Sequence, residues 1–244
     1  MAEAAVILAA GSGTRMQGAV TDKLLVSLGG RPVLFHSLAA FQAADGFDTY
    51  VIVCRDREQL ARIRELSTSA FPELEPAIQW VLGGRERADS VRAGLAALDP
   101  AIRSVYIHDG ARPLIRPEWI RALRAILETG ESAALARPVS DTVKRAAQDD
   151  PTAGATSLQD LARDRLWAME TPQAFPYAAI LDAYQAALHT RIPLTDDTAA
   201  ASHAGIPVRL VEPDGPNPKL TTPADLEWAE HLIRRGHLPT QHER

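Results

Sequence analysis

The regular alternation of short apolar runs with amphipathic stretches constrains the fold of this chain more than any other feature. The apolar runs lie at residues 4–10, 49–53, 78–82, 104–108 and 133–136. Strands that alternate with helical segments in this way are typical of a parallel sheet covered by helices on both faces. We therefore predict an α/β fold with a Rossmann-like, mostly parallel sheet sandwiched by helices.

The stretches between these runs have the helical period. Apolar side chains share one helical face in four of them: Ala88, Val91, Leu95 and Leu98; Ile120, Leu123 and Leu127; Ile180, Tyr184 and Leu188; Leu226, Ala229 and Ile233. The last stretch opens with Thr222-Pro223-Ala224-Asp225, which combines a capping residue, a proline at the first helical position and an acid at the third. We expect a helix to begin there.

One region interrupts the alternation. Residues 138–166 are polar, with Asp-Asp-Pro and Thr-Ala-Gly-Ala-Thr clusters and little helical period. A segment of this length inside a compact α/β unit is typically functional, so we interpret it as a lid or a dimerisation arm, with a disordered linker as the alternative. The chain then suits a single α/β domain over 1–235 with 138–166 inserted, followed by a flexible tail over 236–244.

Composition and charge exclude several classes of protein. The net charge is −5 with no basic tail or stripe, which argues against nucleic acid as a partner. Cys54 is the only cysteine, so no internal disulfide can form, and its place at the end of an apolar run predicts a buried structural thiol. No signal-like segment opens the chain, and no apolar run approaches the ~20 residues that span a bilayer. We expect a cytoplasmic enzyme that does not enter a membrane.

A glycine-rich loop, Gly11-Ser12-Gly13-Thr14-Arg15, directly follows the first predicted strand. Ligands of open α/β sheets bind at the carboxyl ends of the strands, where glycine lets backbone N–H groups approach phosphates. A dinucleotide-binding loop would need a third glycine in place of Met16 and an acid in place of Cys54-Arg55, and no Gly-Lys-Ser/Thr of a P-loop occurs. A glycine loop with Arg15 and then Lys23 beside it suits a polyphosphate; a tight turn with two solvated cations is the alternative.

Lysine is rare in this chain, because only Lys23, Lys144 and Lys219 occur among 26 basic residues. Lysine carries a compact, strongly hydrated point charge, whereas arginine presents a broad planar fork. The three lysines therefore either mark sites where only an ammonium group fits or persist on the surface by chance. The position of Lys23 after the glycine loop favours the first interpretation for that residue.

The chain resembles a known family in a series of motifs that follow the family order. Residues 9–16 with Lys23 are similar to the first loop of nucleotidyltransferases that have the nucleotide-diphospho-sugar-transferase fold. The further motifs are Arg31-Pro32-Val33-Leu34, His36-Ser37-Leu38, Glu86-Arg87-Ala88-Asp89-Ser90-Val91, His108-Asp109-Gly110-Ala111-Arg112-Pro113, Asp141-Thr142-Val143-Lys144, Thr171-Pro172-Gln173 and Lys219-Leu220-Thr221. Together they resemble the 2-C-methyl-D-erythritol 4-phosphate cytidylyltransferase family of non-mevalonate isoprenoid biosynthesis.

The resemblance implies a reaction in which the phosphate of 2-C-methyl-D-erythritol 4-phosphate attacks the α-phosphorus of CTP and pyrophosphate leaves. Arg15, Lys23 and Lys219 match the catalytic cations of the family. Asp109 matches the acid that helps to hold Mg²⁺, the cofactor we expect, between phosphates; a turn or cap aspartate is the alternative. One protein carboxylate suffices for Mg²⁺, because phosphate oxygens and water complete its coordination.

The resemblance also implies which residues bind the two substrates. Nucleotide-site positions of the family are matched by Ala9, Ala10, Gly11, Ser12, Gly13, Thr14, Gly84, Ser90, Asp109 and Arg112. Positions that contact the second substrate are matched by Thr142, Arg163, Thr171 and Thr195. Arg163 and Thr171 match residues that reach the substrate phosphate from the arm of a partner subunit, so the resemblance implies a homodimer that uses the 138–166 arm.

Several of these assignments keep an alternative. Arg165 could replace Arg163, and Thr195 is equally consistent with a helix cap. Leu24 stands where the family usually has glutamine, which removes any contact made by that amide. His108, next to Asp109, is better explained as a packed or hydrogen-bonding residue than as a base.

Rival functions differ in what they require of the sequence. Ribitol 5-phosphate cytidylyltransferase shares the CTP motifs and differs only in the pocket for the alcohol phosphate. A noncatalytic nucleotide-binding protein would not need Arg15, Lys23, Asp109 and Lys219 together. An NAD-dependent oxidoreductase is disfavoured by Met16 in the glycine loop.

Overall fold

A computed structural model describes residues 2–11, 22–147, 154, 156–190 and 192–236 of the chain. The strands are β1 (Glu3–Leu8), β2 (Ser27–Leu28), β3 (Arg31–Pro32), β4 (Thr49–Cys54), β5 (Ile78–Leu82), β6 (Ser104–Asp109), β7 (Ser132–Pro138), β8 (Lys144–Ala146), β9 (Leu158–Asp160), β10 (Trp167–Pro176) and β11 (Val208–Val211). The helices are α1 (Val33–Ala44), α2 (Arg57–Ala70), α3 (Arg87–Ala96), α4 (Pro117–Leu127), α5 (Tyr177–Thr190), α6 (Asp197–His203) and α7 (Pro223–Arg234). Short 3₁₀ turns lie at Glu75–Ala77 and Arg163–Arg165.

Seven of the described strands form one sheet in the order β11-β7-β10-β6-β1-β4-β5. β1 pairs in parallel with β4 and β6, β4 pairs in parallel with β5, and β7 pairs in parallel with β11. Within this sheet only β10 runs antiparallel, between β6 and β7. The prediction of a mostly parallel sheet is confirmed, and all five predicted strands belong to it.

The sequence pattern does not predict β10 and β11. The polar and proline residues of Thr171-Pro172-Gln173 interrupt the apolar run in β10, and the pairing with β7 shifts register between Met169 and Gln173. β11 is a short edge strand whose residues are partly or fully exposed, so it lacks the apolar run of a buried strand. The antiparallel position of β10 matters for function, because it brings the chain from the 138–166 segment back into the middle of the sheet.

Helices cover both faces of the sheet, and the core is divided accordingly. On β1, Ala5 and Ile7 pack in a cluster with α1 and α4, whereas Ala4 and Val6 pack in a second cluster with α3 and α5. This alternation follows from the two-residue repeat of a strand, which directs successive side chains to opposite faces. The four predicted helices are confirmed, with two differences: Leu98 lies beyond the end of α3, and Leu188 is 50% exposed. Ile180 and Leu188 are eight residues apart, which corresponds to two helical turns plus about 80°. Leu188 therefore points away from the sheet that buries Ile180.

The start of α7 has the predicted cap. Thr222 accepts a hydrogen bond from the Asp225 N–H, and the Asp225 carboxylate accepts one from the Thr222 N–H in return. This reciprocal pair is a capping box, which satisfies backbone donors that the first helical turn leaves unpaired. The cap fixes where α7 begins and therefore where the preceding loop, residues 217–222, must lie.

Residues 138–166 contain a small antiparallel ribbon. β8 pairs with β9, with Lys144 opposite Asp160, and the two side chains form an ion pair. Most side chains of the described part are exposed, including Leu158 at 62%. At the base, Pro138 of β7 lies opposite Trp167 of β10, so the segment leaves and rejoins the sheet at one point. Its assignment as a dimerisation arm remains a prediction.

Cys54 is fully buried at the end of β4, which confirms the prediction of a buried thiol. Burial raises its pKa to about 12, because the low-dielectric surroundings disfavour the thiolate. Among the residues that the structure describes, no helix is long and apolar enough to span a bilayer.

Candidate active site

The carboxyl ends of β1, β4, β5 and β6 border one cavity of about 370 Å³. Parallel strands end at the same edge of a sheet, so residues that follow different strands meet there although they are distant in the chain. Of the residues predicted from the sequence, seven line this cavity: Ala10, Gly11, Lys23, Gly84, Ser90, Asp109 and Lys219. Ala9 is fully buried directly before them, and its carbonyl oxygen accepts a hydrogen bond from Gln59.

The predicted residues Ser12, Gly13, Thr14 and Arg15 lie outside the described residues, so their roles stay predictions. Gly11, the last described residue before them, is exposed at the edge of the cavity. A Cβ atom on Gly11 would meet nothing within 4 Å among the described neighbours.

Two consecutive glycines bring the segment after β5 close to the start of α3. A Cβ atom on Gly83 would lie 2.6 Å from Ser90 Oγ and 2.7 Å from Ala10 Cβ, and one on Gly84 would overlap the side chain of Asp89. A larger residue at Gly83 would therefore push this segment away from Ala10 and α3, and one at Gly84 would push it away from α3. The Gly84 N–H donates to Ser90 Oγ at 3.2 Å, which holds the backbone at the wall of the cavity.

Asp109 ends β6, and its side chain is 10% exposed at the cavity. Lys219 Nζ lies 2.7 Å from Asp109 Oδ2, and Arg87 Nε lies 3.3 Å from Asp109 Oδ1. Burial alone would raise the pKa of Asp109, but the charges of Arg87 and Lys219 lower it well below its ordinary value. Asp109 is therefore a carboxylate at neutral pH and faces a space that a ligand can occupy.

Lys23 and Lys219 reach the cavity from opposite ends of the sequence. Lys23 Nζ donates to the carbonyl oxygen of Leu220 at 2.8 Å, one residue after Lys219. The Leu220 N–H donates to the carbonyl oxygen of Ala111 at 2.8 Å, which ties the 217–222 loop to the segment that follows Asp109. The ammonium groups of Lys23 and Lys219 are thus held beside one cavity, the first by a main-chain carbonyl oxygen and the second by the carboxylate of Asp109.

A buried chain of hydrogen-bonding groups lies behind Asp109. Thr171 Oγ1 accepts from the Asp109 N–H at 3.0 Å and lies 3.1 Å from His108 Nδ1, while His108 Nε2 lies 3.2 Å from Ser37 Oγ. Burial lowers the pKa of His108 to about 3, so the imidazole is neutral. His108 is a packed, hydrogen-bonding residue, as the sequence indicated.

The location of Thr171 differs from the expectation. The resemblance implied that it reaches the substrate from a partner's arm, but Thr171 is buried in β10 beside Asp109 of its own chain. The reason is the antiparallel return of β10 next to β6, which local sequence pattern does not reveal. A contact between Thr171 and substrate stays a prediction.

Arg112 connects two segments next to the site. Its guanidinium donates to the carbonyl oxygens of Asn217 at 2.6 Å and of Met169 at 3.5 Å. Asn217 Nδ2 donates in turn to the carbonyl oxygen of Thr171 at 2.9 Å. Arg112 thereby joins the loop that carries Lys219 to β10; its predicted contact with the nucleotide stays a prediction.

The other residues predicted for the second substrate lie on exposed segments. Thr142, Arg163 and Thr195 are all exposed. Arg163 NH1 donates to the carbonyl oxygen of Ser140 at 2.5 Å, within the 138–166 segment. Thr195 directly precedes the N-cap of α6, which is Asp196, so the cap is the neighbouring residue rather than Thr195. Within the described chain, these three side chains are not among those that line the cavity.

Seven residues that line the cavity have no role in the sequence-based assignment, and three of them are Arg87, Arg55 and Leu24. Arg87 lies between Asp109 and Asp197. These two residues are 22 and 110 positions away in the chain, so no local pattern connects them to Arg87. Arg55, which follows β4, lines the cavity and pairs with Asp56 at 2.8 Å. Leu24 is buried and presents an apolar side chain to the cavity where the family usually has glutamine. Of these three residues, only Arg87 belongs to a motif that could have indicated a functional role. That motif does not indicate which residue Arg87 pairs with.

The residues of the cavity fit a magnesium ion that is shared with a ligand. Among the described residues, no group of three or more His, Cys, Asp or Glu side chains forms a complete metal cage. Mg²⁺ does not need one, because it commonly binds one or two carboxylates together with substrate phosphates and water. The ionised carboxylate of Asp109 at the cavity supplies the one ligand that this arrangement requires.

Comparison with known proteins connects this geometry to one family. A family model described as 2-C-methyl-D-erythritol 4-phosphate cytidylyltransferase matches residues 3–235. Proteins of that name from Pelotomaculum thermopropionicum and Cereibacter sphaeroides are 39% and 42% identical, and each alignment covers 96% of this chain and at least 96% of the relative.

A solved structure shares the fold over nearly the full length. The crystal structure of 4-diphosphocytidyl-2C-methyl-D-erythritol synthase from Anaerococcus prevotii aligns with a TM-score of 0.80 at 27% identity and covers 96% of both chains. Family model, relatives and structure agree over the segments that carry the cavity. The chain therefore belongs to the 2-C-methyl-D-erythritol 4-phosphate cytidylyltransferase family.

Proposed function

We propose that this enzyme transfers the cytidylyl group of CTP to 2-C-methyl-D-erythritol 4-phosphate, a step of isoprenoid precursor synthesis. The products are 4-diphosphocytidyl-2-C-methyl-D-erythritol and pyrophosphate. The observation that carries the proposal is the group of Asp109, Lys219 and Lys23 at a glycine-bordered cavity of about 370 Å³, in a chain of this family. Such a site offers cations and backbone donors to phosphates.

The chemistry needs charge neutralisation more than proton transfer. A phosphate oxygen of the second substrate attacks the α-phosphorus of CTP in line, and the bond from the α-phosphorus to the bridging oxygen breaks as pyrophosphate leaves. The attacking phosphate is already an anion, so no base has to remove a proton from it. Catalysis then depends on positioning the reactants and on stabilising the charge that develops on phosphate oxygens.

Lys23, Lys219 and Arg15 supply that positive charge in the proposal. Lys23 donates to a main-chain carbonyl oxygen and Lys219 to Asp109, and each ammonium group has three donors to distribute. A phosphate at the cavity can therefore be bound by these groups with little displacement. Arg15 adds a third cation by resemblance to the family.

Asp109 is the residue that would hold Mg²⁺, which when bound neutralises phosphate charge and fixes the geometry of the triphosphate. The low pKa of Asp109, which follows from its cationic neighbours, keeps the carboxylate ready for a cation at neutral pH. Lys219 shares this carboxylate at 2.7 Å and so orients the side chain that faces the nucleotide.

The nucleobase site in this proposal is the wall formed by Gly84 and Ser90. Cytosine presents an amino group where uracil presents a carbonyl, so acceptors at this position favour cytosine. Main-chain carbonyl oxygens and the Ser90 hydroxyl can accept from that amino group. Ser90 Oγ already bridges the Gly84 N–H and the Glu86 carbonyl oxygen at 3.2 Å each, which fixes its orientation.

The function is tested by pyrophosphate release from CTP and Mg²⁺ with two alternative acceptors. We expect rapid release with 2-C-methyl-D-erythritol 4-phosphate and a kcat/KM at least about 10²-fold lower with ribitol 5-phosphate, the scale on which a pocket discriminates a methyl or hydroxyl group. UTP and ATP serve as matched controls for the nucleotide. Equal or faster release with ribitol 5-phosphate would contradict the proposed substrate, and no release with either acceptor would contradict the activity.

The arm is proposed to build the second-substrate site across a homodimer, which predicts the effect of removing it. Because Pro138 lies opposite Trp167, an Asn-Gly turn can replace residues 139–166 and close a hairpin between β7 and β10. We expect a monomer by sedimentation and a KM for 2-C-methyl-D-erythritol 4-phosphate raised about 10–100-fold, the scale for losing a charge-assisted hydrogen bond.

A pair of arginine substitutions separates dimer formation from phosphate binding. Arg163→Met should leave the dimer intact and raise the same KM, whereas Arg165→Met should leave both unchanged. The reverse result would assign the phosphate contact to Arg165. An unchanged dimer after removal of 139–166 would rule out the arm as the subunit interface.

A further inference from the structure

Arg87 lies between two carboxylates and uses a different part of its guanidinium for each. NH1 and NH2 donate to Asp197 Oδ1 and Oδ2 at 2.9 and 2.8 Å, while Nε donates to Asp109 Oδ1 at 3.3 Å. A planar guanidinium matches two carboxylate oxygens with one edge and still has a third donor to offer. Lys219 occupies the other oxygen of Asp109, so the two oxygens of this carboxylate are held by different cations.

Asp197 is a fixed anchor for this arginine. Its side chain is 0% exposed, and Tyr184 donates its hydroxyl to Asp197 Oδ1 at 2.5 Å. A buried carboxylate is tolerated only when its charge is paired and its oxygens accept hydrogen bonds, and both conditions are met here. The carboxylate of Asp197 therefore cannot turn toward solvent. It holds the guanidinium of Arg87 in one orientation.

Gln173 holds the backbone of Asp197 in place. Gln173 Oε1 accepts from the N–H groups of Asp197 and Thr198 at 2.9 and 3.0 Å, and Gln173 Nε2 donates to Asp196 Oδ2 at 2.9 Å. These contacts link Gln173 of the Thr171-Pro172-Gln173 motif to Asp196 and Asp197 at the start of α6. Both segments thereby support the arginine that reaches Asp109.

We propose that Arg87, anchored by the buried Asp197, is a positioning residue that orients the Asp109 carboxylate for cytidylyl transfer. This inference rests on the function proposed above. Arg87 acts through Asp109, because Asp197 engages NH1 and NH2 and the remaining donor, Nε, is directed to Asp109. A purely structural ion pair is a poor explanation, since buried ion pairs contribute little net stability and the remaining donor of Arg87 is directed to Asp109 at the cavity.

The test substitution is Arg87→Lys, which keeps the charge and loses the planar fork. We expect kcat to fall about 10–100-fold, and the Mg²⁺ concentration for half-maximal rate to rise by a similar factor, as for other residues that orient a metal ligand. At saturating Mg²⁺ the KM for CTP should change little, because Mg²⁺ then fills the weakened site. In Arg87→Ala, added guanidinium chloride should restore part of the lost kcat.

A readout without turnover complements these rates. CTP should raise the melting temperature of the wild-type protein, and Mg²⁺ should increase this shift. In Arg87→Lys we expect the shift with CTP alone to persist and the additional shift with Mg²⁺ to be lost. Wild-type turnover is measured in parallel, so failure of the proposed function is seen separately from failure of this inference.

Arg124 provides a matched control. It forms a largely buried ion pair at 2.8 Å that joins α4 to Glu3 of β1, outside the cavity. Arg124→Lys should lower the melting temperature while leaving kcat and the Mg²⁺ requirement at wild-type values. If Arg87→Lys behaves in the same way as Arg124→Lys, Arg87 is a structural residue and the proposal is wrong.

A milder variant covers the case in which Arg87→Lys does not fold. Tyr184→Phe removes one donor to Asp197 and leaves every charge in place. We expect kcat to fall by less than in Arg87→Lys, and the Mg²⁺ concentration for half-maximal rate to rise as it does in that variant. Wild-type kinetics in a folded Tyr184→Phe protein would overturn the role of Asp197 as the anchor.

Discussion

Lys219→Ala is expected to lower kcat about 10²–10³-fold, the scale for losing one preorganised contact to the transition state. Lys219 is proposed to stabilise charge on the phosphates, and it also holds Asp109 at 2.7 Å. Both effects are lost together, so the rate of the chemical step should fall in single-turnover experiments as well as at steady state. The variant should still fold, because Arg87 remains beside Asp109 and compensates its charge.

Substitution by arginine tests why lysine occupies this position. Lys219→Arg keeps the positive charge but replaces a compact ammonium group by a broad fork, so we expect little recovery of the rate. Lys144→Arg is the matched control, because Lys144 forms an exposed ion pair with Asp160 that arginine can also make. Near wild-type turnover in Lys219→Ala would show that this lysine does not act in catalysis.

Lys23→Ala is expected to have an effect of the same size, about 10²–10³-fold on kcat. Lys23 approaches the cavity from the segment after the glycine loop and donates to the carbonyl oxygen of Leu220 at 2.8 Å. In the proposal this ammonium group stabilises the departing pyrophosphate, so the loss should appear in the rate of pyrophosphate release. Lys23→Met retains the length of the side chain and controls for lost packing.

The double variant tests whether the two lysines act as a unit. Lys23 contacts the residue after Lys219, and residues that share one transition state lose less together than the product of their single effects. We therefore expect Lys23→Ala with Lys219→Ala to lower kcat by less than the two factors multiplied. Strict multiplicativity would indicate independent roles, and a near-normal rate in Lys23→Ala alone would contradict its assignment.

Local pattern was sufficient for nine of the eighteen strands and helices that the structure describes. The five predicted strands and four predicted helices are confirmed, because burial between two helical layers requires continuous apolar runs and a helix packed on a sheet requires one apolar face. The cap at Thr222 and the buried Cys54 were also predictable, since each depends on its immediate neighbours. β10 was not, because the polar and proline residues at 171–173 interrupt its apolar run.

The candidate site likewise has features that the sequence predicts and features that only the fold determines. The sequence by itself determined that Asp109, the glycine loop and Gly84 follow strands and must meet at one edge of the sheet, since all parallel strands end there. Only the tertiary structure decided that Arg87 joins Asp109 to Asp197, that Gln173 supports Asp197, and that Thr171 lies behind Asp109. These contacts join residues 22 to 110 positions apart. Strand order and register determine which distant residues come into contact, whereas sequence periodicity indicates only whether a residue faces the core or solvent.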